Sequence, residues 1–218
     1  MKSSLMQRCV AEFVSTALLV AAVVGSGIMS ERLAGQNIAL ALLTNTIATG
    51  AALVALILTF GEISGAHMNP VVTLSSVMTG GVTWAEARSY ALSQFLGGAA
   101  GTVVADLMFS LPPITLSQHS RGGPGQVFSE CIATFGLVAV VRGCAGRKLA
   151  AVAVAVGGYI TAAYWFTAST SFANPAVTLA RSLSDTFAGI RPSDVPLFMV
   201  AQIIGAVAAT LLFRWLLA

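Results

Sequence analysis

The chain has 218 residues, of which 56% are hydrophobic and only 9% charged, and its net charge is +3. A water-soluble domain carries about 25% charged residues, so there is too little polar surface here to cover a water-exposed globule. A mean hydropathy of +0.86 makes a lipid bilayer the solvent for most of the chain, and the small positive charge, without any basic run, calls for no nucleic-acid partner.

The first apolar run extends from about Cys9 to Met29 and holds Glu12. It has no clean small-x-small cleavage site before a polar mature region, so it reads as a retained span rather than a signal peptide. The second, Asn37 to Phe60, contains no charge. After it comes Gly65-Ala-His-Met-Asn-Pro-Val-Val-Thr-Leu74. Asn is a strong helix N-cap and Pro is favoured at the first helical position, which predicts a short helix over 69–78. The third run covers Ser89 to Leu111 and carries Asp106; a connection containing Gly, Pro and Ser follows, with His119 read as solvated. The fourth run, Gln126 to Val141, is the shortest and holds Glu130; the fifth is Leu149 to Ala168. A second signature, Thr170-Ser-Phe-Ala-Asn-Pro-Ala-Val-Thr-Leu179, predicts another short helix over 174–183. The sixth run is Val195 to Ala218. A crossing takes about 20 residues, so six spans are predicted, with both termini on one side. That side collects Lys2, Arg8, Arg88, Arg142, Arg147, Lys148 and Arg214, against Arg32, Arg121, Arg181 and Arg191 on the other. The bias puts both termini in the cytoplasm, and the protein is expected in the inner (plasma) membrane.

Glu12 and Glu130, Asn69 and Asn174, and Gln94 and Gln202 recur in the same order at similar separations. This is a duplicated unit: residues 1–108 and 126–218, joined by an extracytoplasmic loop 109–125. Each unit has an odd number of spans, so the second enters the membrane inverted. Half-helices of about 15 Å each, set end to end, fill a hydrocarbon core about 30 Å thick. Their N-termini then meet at the midplane, where Asn69, Pro70, Val71, Asn174, Pro175 and Ala176 would form the pore centre. The helix ends present N–H groups and partial positive charge. Their lead-in loops must line water or be buried in protein. A neutral polar solute could exchange hydrogen bonds along this path; a cation would face two positive dipole ends.

These motifs resemble the aquaporin (major intrinsic protein) family over essentially the whole chain. The resemblance implies an all-α membrane fold of six transmembrane helices and two re-entrant half-helices, one pore per subunit, and a homotetramer. It also implies a selectivity filter, carried over by spacing from the two Asn residues onto Thr49, Ala162, Ser171 and Val177. Two positions depart from the family pattern: Val71 replaces the usual Ala, and Val177 replaces the usual Arg. Arg181, one turn further on, is read as a helix-end charge near the outer interface. The filter so inferred is wide and arginine-less. It resembles the filter of bacterial arsenic-resistance aquaglyceroporins and implies passage of arsenite, methylarsenite and glycerol as well as water. The alternatives are a generic glycerol or water facilitator and an ion-coupled secondary transporter.

Glu12 and Glu130 are read as structural acceptors for the lead-in loops rather than as a proton relay, and His67 as a hydrogen-bonded pore-loop residue. No metal site or cofactor is predicted: Cys9, Cys131 and Cys144 lack metal spacing, and an odd number suggests no disulfide framework. With no nucleophile, base or metal cluster in view, an enzyme is not expected.

Overall fold

Local caps set most helix starts. Ser4 and Gln7 form a reciprocal capping box that opens α1, Leu5–Leu33. The Asn37 side chain caps α2, Ile38–Ser64. Thr83 and Glu86 form a second capping box at the start of α4, Trp84–Met108. Pro124 occupies the first turn of α5, Pro124–Gly143, and α6 is Leu149–Phe166. A 3₁₀ turn at Pro192–Asp194 leads into α8, Val195–Leu216. The two Asn-Pro signatures start α3, Pro70–Met78, and α7, Pro175–Arg181. The structure, a computed structural model, describes residues 3–218, and Lys2 of the charge count lies outside them.

Six of these helices are long and apolar enough to span a membrane, and no strand is present among the described residues. The fold is the inverted-repeat arrangement of six spans and two half-helices. α5, the span that looked shortest, has 20 residues. Hydropathy alone starts it too late because Pro124 and Gly125 open the helix without adding much apolar character.

The bundle has an apolar surface around an interior that holds polar groups as well as apolar ones. Leu18, Ile47, Leu92, Phe128, Val154 and Leu211 are exposed, whereas Glu12, Gln94, Glu130 and Gln202 are fully buried. Among bilayer helices, close packing rather than the hydrophobic effect drives association. α1 packs on α4, and α5 on α8. A Cβ built on Gly97 would lie 2.3 Å from the Phe13 carbonyl oxygen, and one on Gly101 2.3 Å from that of Ala17. In the second pair, a Cβ on Gly205 would lie 2.2 Å from the Cys131 carbonyl oxygen. These backbones touch because there is no side chain between them.

The connection after α4 folds back on the bundle, burying Ser117 and Arg121. Its backbone pairs with the segment after α7 through Thr115 N–H to Leu183 O (2.9 Å) and Ser117 N–H to Ser182 O (3.0 Å). Asp194 Oδ2 accepts from the Arg121 N–H at 2.8 Å. The loop therefore lies across the mouth of the bundle opposite the termini and delivers Arg121 into it.

Candidate pore

α3 and α7 start against one another at the centre of the bundle. Each Asn does two jobs. Asn69 Oδ1 accepts from its own Val71 N–H at 3.0 Å, and its Nδ2 donates to the Ala173 carbonyl at 2.8 Å. Asn174 Oδ1 accepts from Ala176 N–H (3.0 Å) and Val177 N–H (3.2 Å), while its Nδ2 donates to the Met68 carbonyl at 2.8 Å. Each amide caps its own helix and crosses to the other half's lead-in loop, which fixes the two N-termini side by side.

The lead-in loops contain residues in the left-handed region: Ala66, Met68, Thr170, Ser171 and Ala173 all have φ between 46° and 61°. Such backbone needs outside support, and the buried carboxylates supply it. Glu12 Oε1 accepts from Ser64 Oγ (2.6 Å) and His67 N–H (2.9 Å), and Oε2 from Met68 N–H (2.7 Å) and Gln94 Nε2 (2.7 Å). Glu130 repeats the pattern with Phe172 N–H (2.9 Å), Ala173 N–H (2.9 Å) and Gln202 Nε2 (2.6 Å). Gln94 and Gln202 also donate to the hydroxyls of Thr73 and Thr178, at 3.0 and 2.8 Å. Those threonines were not singled out from sequence, although each stands four residues after its Asn and donates back to the Asn carbonyl.

A cavity of about 290 Å³ runs past both Asn residues, from Cys144 and Gly146 at the mouth on the side of the termini to Arg181 at the other. Asn69 and Val72, and Asn174, Val177 and Arg181, line it. Spacings of three and four residues put each set on one helix face. His67 also lines it, with Nδ1 3.0 Å from Thr73 Oγ1 and its ring edge-on to Tyr90. Pro70, Val71, Pro175 and Ala176 do not line it. Val71, expected at the pore centre, points the other way and packs with Val138, Ala206 and Ala209. Two residues beyond Asn69 is about 200° of helix rotation, so its bulk does not enter the path.

The filter positions divide. Thr49, Ser171 and Val177 line the cavity. Ala162 does not: it is exposed on the outer face of α6. The face of α6 toward the cavity is Val152, Val156, Ile160 and Tyr164, at regular four-residue spacing. Counting back from Asn174 crosses the non-helical segment 167–173, where helical phase is lost, and so lands on the wrong face. Tyr164, buried, brings its hydroxyl 3.2 Å from Thr49 Oγ1. An aromatic ring therefore stands at the position assigned to a small residue.

The placing of Arg181 is likewise corrected. Arg181 is not an interfacial charge; it is 2% exposed and lines the cavity. Its Nε donates to the Ala188 carbonyl, and its guanidinium carbon lies 3.5 Å from the centroid of the Phe172 ring. Arg121 approaches the same ring at 5.0 Å. Its donors go to the carbonyls of Gly189 (2.7 Å), Ser169 (3.3 Å) and Phe187 (3.3 Å) and to Thr170 Oγ1 (3.3 Å). Burial, and secondarily Arg181, push the Arg121 guanidinium down to about 9, which leaves it charged at neutral pH. Sequence gave no sign of Arg121 beyond its charge, because its burial depends on how the connecting loop folds back.

Six spans closed around two half-helices that meet N-terminus to N-terminus, with a cavity passing the junction, define a membrane channel. The Major intrinsic protein family profile matches residues 1–148 and 125–218. The chain is 55% identical over 213 residues to the aquaglyceroporin AqpS of Rhizobium meliloti, covering 98% of this chain and 91% of that one. It is 32% identical over 182 residues to the probable aquaporin AqpM of Archaeoglobus fulgidus, covering 76% and 72% respectively. The X-ray structure of the aquaglyceroporin from Plasmodium falciparum shares the fold with a TM-score of 0.76 at 19% identity, over 96% of each chain. The chain belongs to the major intrinsic protein family and is a multi-pass membrane channel of aquaglyceroporin type for small solutes.

Proposed function

We propose that the channel passes arsenite and methylated trivalent arsenicals alongside glycerol-like solutes and water, passively and down their gradients. The observation that carries this is Val177 on the cavity wall, an apolar side chain where the family resemblance implies arginine. At neutral pH arsenite is an uncharged trihydroxide, close to glycerol in shape. A methyl substituent needs apolar wall beside hydrogen-bonding groups, and Val177 in a cavity also lined by Ser171, Thr49 and Arg181 supplies that combination. The 55% identity to an aquaglyceroporin supports the solute class. Stopped-flow light scattering of proteoliposomes with glycerol, arsenite and methylarsenite tests it. Flux of all three above protein-free vesicles is expected, and glycerol flux without arsenical flux would remove the arsenical reading.

The same reading includes a homotetramer in the plasma membrane with both termini cytoplasmic. The lysine and arginine asymmetry supports the orientation. It also includes a division into two repeats, 1–108 and 126–218, around the connecting loop 109–125, which the matching hydrogen bonds of Glu12 and Glu130 favour.

A further inference from the structure

Arg121 and Arg181 converge on one aromatic ring at the outer mouth, yet they are spent differently. Each of Arg121's side-chain nitrogens donates to a loop oxygen, so this residue staples the vestibule together. Arg181 uses only Nε, toward Ala188. Among the described residues neither of its Nη groups donates to a protein acceptor, and neither is walled off as a buried orphan. No carboxylate neutralises it either: the ion pairs among the described residues are Arg8–Glu86 and Arg191–Asp194. A buried cation without a counter-charge is costly. Here it is held by stacking on Phe172, whose ring is in turn braced edge-on by Phe198 at 5.4 Å. Arg181 lines the cavity, on the helix face that carries Asn174 and Val177.

We infer that Arg181 is the specificity-determining residue of the outer filter: its Nη donors bind hydroxyl oxygens of the passing neutral solute, and its charge repels cations. It acts from one helical turn beyond Val177, which leaves a wider apolar step between the guanidinium and the Asn pair. Together with Tyr164 across the cavity it sets the largest solute admitted. The hydrogen bonds a guanidinium offers suit polyhydroxyl compounds, and a fixed positive charge at a constriction is a general barrier to cations. This inference rests on the channel reading and not on the arsenical one, because its readouts are polyols and cations.

The experiment compares proteoliposomes of wild type, Arg181→Met and Arg181→Gln. Glycerol and sorbitol entry are followed by light scattering, and proton and Na⁺ entry by internal dyes. In Arg181→Met the sorbitol-to-glycerol ratio and the cation flux are each expected to rise about tenfold. A variant that conducts glycerol with wild-type cation tightness and wild-type size limit overturns the inference. If Arg181→Met conducts nothing, Arg181→Gln decides, since it keeps a polar side chain with N–H donors but removes the charge: a cation leak supports the assignment and a tight channel overturns it. Wild-type vesicles that pass glycerol but not arsenite would strike the arsenical reading alone.

Discussion

The Tyr164 hydroxyl lies 3.2 Å from Thr49 Oγ1 across the outer part of the cavity. This contact joins α6 to α2 and puts a ring where spacing from the Asn-Pro signature had put Ala162. Tyr164→Ala should therefore widen the path, and sorbitol entry into proteoliposomes should rise about tenfold relative to glycerol. Ala162→Trp, on the exposed face, should leave the solute range as it is. A narrowed range in the tryptophan variant would return Ala162 to the filter.

Val177→Arg would set a second guanidinium one turn from Arg181. The Phe172 ring already carries the guanidinia of Arg121 and Arg181, so a third has no free face to stack on, and the added side chain fills the apolar step. Solutes should be lost in order of bulk, methylarsenite before glycerol and glycerol before water. Uptake assays that return an unchanged range would take Val177 out of the filter.

Glu12→Ala and Glu130→Ala should fail as folded proteins before they fail as channels. Removing Glu12 takes the acceptor from donors on Ser64, His67, Met68 and Gln94, of which only Gln94 keeps another partner, Thr73 Oγ1. A buried donor left without its partner costs about 1–3 kcal/mol, so a loss of at least about 3 kcal/mol is expected, read as a lower unfolding temperature in detergent. A proton relay predicts the opposite: Glu12→Gln would then be stable, and a proton-driven flux would disappear.

Gly101→Ala would press a methyl group toward the Ala17 carbonyl, where a Cβ lies only 2.3 Å from oxygen. Backbone cannot yield as a side-chain tip can, so α1 and α4 must separate, at a cost of about 1–3 kcal/mol. Gly158→Ala is the control: a Cβ there meets nothing within 4 Å, and the unfolding temperature should hold.

How much of this was legible depended on what each residue's position obeys. The six spans and two half-helices follow from hydropathy and from Asn-Pro as a local helix start, which act over a few residues. Glu12 and Glu130 were readable as loop acceptors because a carboxylate in lipid needs donors and both copies lay near loops that have them. Tyr164 and Arg181 were not readable by the same means. Tyr164 is misplaced by counting through the left-handed turns at Thr170, Ser171 and Ala173, which keep no helical phase. Arg181 was judged by where its Cα lies, whereas a long side chain stacked on Phe172 reaches the cavity from a turn away. Arg121 depends on a connecting loop whose pairing with residues 182–194 leaves no pattern in sequence. Its burial, with that of Arg181, also changes the charge count for orientation: two of the four cations assigned to the outer side serve the vestibule, not the membrane surface.

The exchange at the bundle centre crosses between the two halves: the Met68 carbonyl waits for Asn174, and the Asn69 amide for Ala173. During synthesis the first three spans can enter the bilayer and pack, but their half-helix stays uncompleted until the final third of the polypeptide has left the ribosome. A nascent chain halted after its third span would hold an unpaired amide and an unpaired carbonyl in hydrocarbon, where such groups are poorly tolerated. Truncated products would thus carry their own mark for quality control, and two separately expressed fragments would have a chemical reason to find each other.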